Sequence, residues 1–411
     1  MKIALACESF VARSGGAAQW QRAVAKRLAE RGHEIVVLTF APPRAVPSAS
    51  DTRPVQSDDG DPAGVAVRRL AWHPSRLARA RAMTAAVGAC AADVAHDTGV
   101  GFAFDVFHPQ MGPRLANYRR DMASRTPGER VCERLRPRHW RWLAELRHVE
   151  RRQHAHRSAL FVAVSKLVAS SMQRLYGVRP ERIRIVANGA DLAALPAPDA
   201  SERTGLRHRL GAGADRTLFL FAAHNARLKG VRPLLEAASL LRRSGAPFRL
   251  ALIGGAVDPD VRQRIARLGL QDVVTACGFV PDAAAHYAAA DVLVLPSYHD
   301  ACSLTVFEAC AYGLPVITTR YNGASEHLAN GREGFIVDEP DDVIALARRM
   351  DELTDAAVRR RMSANARVLA RRHDLERNAV ELEAVLREAV ERRACARGVA
   401  SRRGAWRGGP P

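Results

Sequence analysis

"DACSLTVFEACAYGLPVITT", Asp300 to Thr319, sets two carboxylates eight residues apart, Asp300 and Glu308, around the start of a small apolar helix. Gly313, Leu314 and Pro315 end that helix, and "PVITT" reads as a buried strand. The preceding run "DVLVLPS" (291–297) is another apolar strand. Strand, loop, helix, strand is a crossover unit of a parallel sheet, and its loop lies at the carboxyl end of the first strand. A helix start offers unpaired N–H groups and the positive end of its dipole, so it attracts anions. Two acids there either cap the helix or hold the hydroxyls of a ligand whose phosphates rest on those N–H groups.

The same alternation extends in both directions. Upstream lie the strand "TLFLFAAH" (217–224), the turn "NARLKG" (225–230), the helix "VRPLLEAASLLRRSG" (231–245) and the strand "FRLALIGG" (248–255). A helix over 258–268, a strand "DVVTACG" (272–278) and a helix over 282–289 complete the run. The first half repeats the pattern: "KIALAC" (2–7), a glycine turn "ARSGGAAQ" (12–19), a helix closed by Gly32, and "HEIVVLTF" (33–40). Residues 41–63 are rich in Pro, Ser and Asp and read as a loop. The strands "GVAVRRLAW" and "ALFVAVS", the helix "KLVASSMQRLYG" and the turn after "IRIVANGAD" follow.

The pattern predicts an α/β protein with two doubly wound domains and a ligand cleft between them. The divisions are a first domain over 1–195, a linker over 196–215, a second domain over 216–375, a C-terminal helix over 376–395 returning toward the first domain, and a disordered tail over 396–411.

With 411 residues, 47% of them hydrophobic, the chain has ample material for two cores. No apolar run is long enough to span a bilayer. "MKIALACESF" reads as a first strand rather than a signal peptide. Seven scattered cysteines with no C-x-x-C pair argue against a disulfide framework or a zinc cage and point to a reducing cytoplasm. The net charge of +19 raises nucleic acid as a partner, but only four residues are lysine. Such an arginine skew follows genome composition, and a basic surface suits anionic lipid equally well.

Gly15 and Gly16 follow the first strand, where a glycine pair lets backbone approach a ligand or simply makes a tight turn. A full G-x-G-x-x-G fingerprint is absent. Arg227 and Lys229 stand at a strand's carboxyl end ahead of a helix, which suits a diphosphate or a solvated basic turn. Ser303 and Leu304 supply N–H groups at the helix start after Asp300. In "HDTGVGFAFDVFHPQMG", His96, Asp97, Asp105 and His108 are candidates to orient or deprotonate an acceptor hydroxyl, or are structural. No tight metal-ligand spacing is present. The stretch 131–157 reads as a basic helix with Trp140 and Trp142 among arginines, either a membrane-facing segment or a solvated helix whose Trp and Leu pack inward.

Together these motifs resemble the retaining family-4 glycosyltransferases of the GT-B fold. The acid pair with "FEACAYGLPVI" carries most of the likeness, joined by "RLKG", "SGGAAQ" and "VANGAD". The layout is most similar to the lipopolysaccharide core glucosyltransferases. The resemblance implies that Arg227 and Lys229 hold a donor diphosphate, Glu308 the nucleotide ribose, and Asp300 the transferred sugar, with Gly15, Gly16, Ser303 and Leu304 around the donor. It makes Asp105 the acceptor-side residue to watch, and Asp105, His108 and Lys229 the catalytic expectations. It implies an NDP-sugar donor, expected to be a UDP-sugar, no obligatory metal or cofactor, a glycan or lipid-linked acceptor, and no nucleic acid. It also implies a peripheral location on an anionic membrane surface at the cytoplasmic face. Two departures stand out: Asp300 replaces the family's usual Glu, and His224 stands where the family has Arg five residues before the lysine.

Overall fold

The structure, a computed structural model, describes residues 1–11, 16–41, 60–197, 199–255, 259–281 and 283–405, with side chains as far as 395. The first domain runs β1 (Lys2–Ala6), α1 (Gly16–Glu30), β2 (Glu34–Phe40), β3 (Val65–Leu70), α2 (Arg76–Gly88), β4 (Val94–Asp97) and β5 (Val106–Phe107). It continues with α3 (Arg114–Ala123), α4 (Pro127–Leu135), α5 (Pro137–His154), β6 (Leu160–Ala163), α6 (Lys166–Tyr176) and β7 (Ile183–Ile185). Its strands lie in the order β3-β2-β1-β4-β5-β6-β7 and every pairing is parallel. Helices cover both faces, so strands such as β2, buried along six of its seven residues, read as continuous apolar runs.

The second domain opens with α7 (Ala200–Arg209), β8 (Thr217–Ala223), α8 (Val231–Arg243), β9 (Phe248–Gly254), α9 (Pro259–Arg267), β10 (Val274–Gly278) and α10 (Ala283–Ala289). It continues with β11 (Val292–Leu295), α11 (Leu304–Ala311), β12 (Val316–Thr319), β13 (Gly334–Val337), α12 (Val343–Glu352) and α13 (Ala356–Arg371). The sheet order is β10-β9-β8-β11-β12-β13, again all parallel. In both sheets the strand order reverses beside the first strand, so a crevice opens at the carboxyl ends of β1 and β4 and of β8 and β11.

Two expectations about the connections need correction. Part of the segment expected as a linker, 196–215, is helix: Asp199 caps α7 by accepting from the N–H groups of Ser201 and Glu202. Leu206, Leu210 and Ala212 are buried in the second domain's core, and Arg207 binds Asp291 at 2.9 Å. Small and charged residues hide a helix whose cap and buried leucines decide it. The tail expected to be disordered from 396 is helical in backbone to residue 405, within α14 (Leu375–Ala405). The stretch 131–157 is also broken, because Pro137 ends α4 at Arg136 and starts α5.

The chain crosses between the domains twice, and the crossings lie side by side. Ala190 pairs with Asp374 as a parallel bridge: its N–H donates to the His373 carbonyl and its carbonyl accepts from Leu375 N–H, both at 2.9 Å. From there α14 returns to the first domain. Leu375, Leu382, Val385, Leu386 and Ala389 join that domain's core, and Trp20 donates to Asn378 at 2.8 Å.

Candidate functional site

The cleft floor on the second-domain side is built from the ends of β8 and β11. After β8 the backbone turns through "NARLKG" into α8. Gly230 sits at φ 84°, and a Cβ there would collide with the Pro296 carbonyl at the end of β11. That close approach, open only to glycine, brings Lys229 beside the β11 loop. Its ammonium lies 2.5 Å from the Asp300 carboxylate and donates to the His299 carbonyl at 3.1 Å. The 3₁₀ turn Gly323–His327 closes in from β12, where Gly323 N–H donates to the Asp300 carbonyl at 2.8 Å. A Cβ at Gly323 would strike the Ala301 carbonyl.

Asp300 does not cap α11. The cap position is Ser303, which makes no side-chain capping bond. Leu304 opens the helix and packs against the first domain's core, and a Cβ on Gly16 at the start of α1 would lie 3.7 Å from its side chain. The start of α11 therefore faces the start of α1 across the crevice. Gly15 lies outside the described residues. One turn into α11, Glu308 accepts from the buried Tyr287 hydroxyl at 2.9 Å. Burial raises its carboxyl above the ordinary value, and the Tyr287 bond opposes this.

Arg227 reaches the other way. Its guanidinium binds Asp121 on α3 of the first domain at 2.8 Å. Both cations expected at a diphosphate are thus held by carboxylates: Lys229 by Asp300, and Arg227 by Asp121 from the facing domain. Other bonds clasp the two domains. Ser165 donates to the Ala301 carbonyl at 2.7 Å, Arg232 binds Glu129 at 2.6 Å, and Arg120 donates to the Tyr298 carbonyl at 2.7 Å. Glu326 caps α6 from the second domain, accepting from Lys166 and Leu167 N–H groups.

Asp105 is not placed for catalysis. It precedes β5, at the amino end of the sheet, where its carboxylate accepts from Ala95 N–H at 2.9 Å and meets Arg393 of α14 at 3.3 Å. It ties strands and the C-terminal helix together. His108 follows β5 at the correct end but is fully buried. Its ring nitrogens meet His96 at 3.2 Å and Gln110 at 2.9 Å, and its edge meets Trp20. Burial and His96 hold its pKa well below the ordinary range, so it is neutral. Asp97 shapes its turn by accepting from Gly99, Val100 and Gly101 N–H groups.

Sequence reasoning missed Asp121, Glu8 and His299. Only the packing of domain on domain marks Asp121. His299 is signalled by nothing but its position before Asp300. It is buried, its carbonyl accepts from the Lys229 ammonium, and burial pushes its pKa down to about 4. Among the described residues no three His, Cys, Asp or Glu side chains are grouped to hold a metal ion.

The family comparisons agree with this division into halves. The model described as Glycosyltransferase Family 4 matches residues 14–194, and that described as Glycosyl transferases group 1 matches 202–369. The chain has the two domains of a glycosyltransferase. Its whole fold superposes on GT-B enzymes. WaaG, a glycosyltransferase involved in lipopolysaccharide biosynthesis, matches with a TM-score of 0.70 at 20% identity over 93% of this chain and 99% of that one. Anabaena HepE in complex with UDP-glucose matches with a TM-score of 0.64 at 20% identity, over 96% of this chain and all of the other. At such identity these likenesses establish the fold. In sequence the chain is similar to the D-inositol 3-phosphate glycosyltransferase of Pseudarthrobacter chlorophenolicus, 36% identical over 188 residues. That match covers 44% of each chain, so this GT-B chain aligns with less than half the length of that curated relative.

Proposed function

We propose that the chain is a retaining glycosyltransferase that moves a hexose, with glucose the expected sugar, from a UDP-sugar to a hydroxyl of a saccharide or lipid-linked acceptor such as lipopolysaccharide core. The observation that carries this reading is the Lys229–Asp300 pair at the side-chain-uncapped start of α11, with Glu308 one turn further on. In this reading the diphosphate displaces the carboxylates from Arg227 and Lys229 and rests on the α11 N–H groups. These cations and dipoles neutralise the leaving group, a role a metal plays elsewhere. Asp300, released from Lys229, accepts from sugar hydroxyls, and Glu308 turns its second oxygen to the ribose. The leaving phosphate takes the acceptor proton, because neither Asp105 nor His108 offers a base to the cleft. The test is calorimetric titration with UDP, GDP and ADP in EDTA. Saturable binding of one nucleotide supports the reading, and binding of none overturns it. An epimerase of the same fold would instead convert the donor with no acceptor present.

A location at the cytoplasmic membrane face is part of the same proposal. Helix α4 has no buried residue, and Val131, Leu135, Trp140 and Trp142 are all exposed. Arg134, Arg136, Arg138 and Arg141 surround them. Apolar side chains ringed by arginine suit an anionic bilayer surface. Among the described residues no helix is long and apolar enough to cross a membrane. Co-sedimentation with anionic but not neutral vesicles, lost when Trp140 and Leu135 become Ser, is the expected result.

A further inference from the structure

A cavity of about 340 Å³ lies where the chain crosses between the domains, and residues of both crossings line it. That is room for a small metabolite. Asn188 comes from the first crossing, Arg372 and His373 from the second, His327 from the 3₁₀ turn after β12, and Arg377 and Glu381 from α14. Neither Lys229, Asp300 nor Glu308 of the donor crevice is among its walls.

The acids at this cavity are engaged. Arg377 donates to Glu381 at 2.8 Å and to the Arg372 carbonyl at 3.0 Å, and Asp374 accepts from Leu192 N–H at 3.4 Å. Other polar groups stand open. Asn188 is buried, and while its Nδ2 donates to the Cys302 carbonyl at 3.0 Å, its Oδ1 has no partner. His327 Nε2 is likewise buried and unbonded. His373 packs between rings, its centre 4.2 Å from His327 and 4.4 Å from Phe307, and no described residue bonds its ring nitrogens. The Arg372 side chain is exposed and has no ion-pair partner among the described residues. Burial, then His327, Arg377 and Arg372, hold the His373 imidazole down to about 3, so it is neutral and donates from one nitrogen. Buried polar groups are normally bonded, so walls with this many open positions suit a ligand. They ask for negative oxygens against Arg372 and the imidazole N–H groups, and for a hydroxyl hydrogen on Asn188 Oδ1.

The same residues reach the donor side. Asn188 holds the Cys302 carbonyl just ahead of α11, and His373 stacks on Phe307 within α11. His327 ends the turn whose Gly323 N–H donates to the Asp300 carbonyl. We propose that this cavity is an effector site for a small hydroxylated oxyanion, a hydroxycarboxylate or a hydroxylated phosphate ester, whose binding fixes these three residues and tightens the hold on the donor nucleotide. The regulatory half rests on the transfer reading above. Coupling between two binding sites is reciprocal, so the nucleotide tightens the anion by the same factor.

The test is calorimetry on the full chain with matched probes, malate against succinate and glycerol 3-phosphate against propyl phosphate. At least one hydroxylated member is expected to bind saturably and about fivefold tighter than its partner, the effect of one hydrogen bond, and that pair identifies the anion. Arg372→Met is expected to weaken it ~10-fold and Arg372→Lys to keep part of the affinity. The saturating anion is expected to lower the UDP dissociation constant about fivefold or more, and UDP that of the anion equally. Competition for the donor crevice, or charge repulsion, would raise both instead. No saturable binding, equal binding within both pairs, binding indifferent to Arg372→Met, or UDP affinity unchanged or weakened overturns the proposal. If the chain takes no UDP at all, the transfer reading falls separately, and the anion titrations with the Arg372 variants still decide the site.

Discussion

Asp121→Asn should tighten nucleotide binding. In the structure the Asp121 carboxylate holds the Arg227 guanidinium at 2.8 Å, with the two side chains 23% and 33% exposed. A diphosphate arriving at Arg227 must displace that carboxylate, so part of its binding energy goes into breaking the pair. A partly exposed ion pair with good geometry contributes about 1 kcal/mol. Asparagine keeps the shape and an acceptor oxygen but not the charge. Removing the competitor should therefore lower the UDP dissociation constant about fivefold, since 1.4 kcal/mol is a factor of ten. The assay is titration of wild type and variant with UDP at low and at high salt. The gain should shrink with salt, because the lost interaction is partly screened. Arg232–Glu129 and the Glu326 cap still join the domains, so the melting temperature should fall only slightly. Unchanged or weaker UDP binding at low salt would refute the idea that Asp121 stands in for the phosphate.

Lys229→Ala should lower kcat/KM by about 30-fold or more, the loss of roughly 2 kcal/mol of charge stabilisation; near-normal turnover would remove Lys229 from the diphosphate site. Glu308→Ala should weaken UDP about tenfold while leaving inorganic diphosphate untouched, as expected for a lost charged hydrogen bond to ribose; equal effects on both ligands would end the ribose role. Asp105→Ala should destabilise the fold by about 1 kcal/mol through the orphaned Ala95 N–H and leave kcat unchanged; a hundredfold fall in kcat with the fold intact would restore Asp105 as a catalytic group. The hydrogen bond from Arg232 lowers the Glu129 carboxyl to about 2, so this inter-domain pair stabilises closure above the ordinary carboxylate pKa. Its contribution should be lost as pH falls from about 4.5 toward 2. Solution scattering should show the domains separating in that window in wild type, with Glu129→Gln already more open at neutral pH.

The strands and the placement of the second-domain candidates were legible because their signals are local. Continuous apolar runs mark buried parallel strands, and "RLKG" and the acid pair each follow one, so their place at a carboxyl end could be read directly. The first-domain site was not. In "FDVFH" the strand β5 is two residues long, and Asp105 and His108, three apart in sequence, lie at its opposite ends. No periodicity can locate so short a strand. Asp121 was illegible for a different reason: it sits on an ordinary exposed-looking helix face, and its partner lies 106 residues away in the other domain. Helix α7 is signalled by Asp199 and Glu202, which a compositional reading of 196–215 as a linker does not weigh.

The twin crossings at Ala190 and Asp374 act as an axle. Two strands of chain tied by two backbone hydrogen bonds resist sliding and stretching far more than they resist turning, so the halves can swing about one line while their lateral registration is kept. In the transfer reading, a cleft opening this way would admit a donor and return the start of α11 to the same seat opposite α1. Alignment of the reacting groups would then be set by the pivot, and the clasping ion pairs would govern only how long the jaws stay shut.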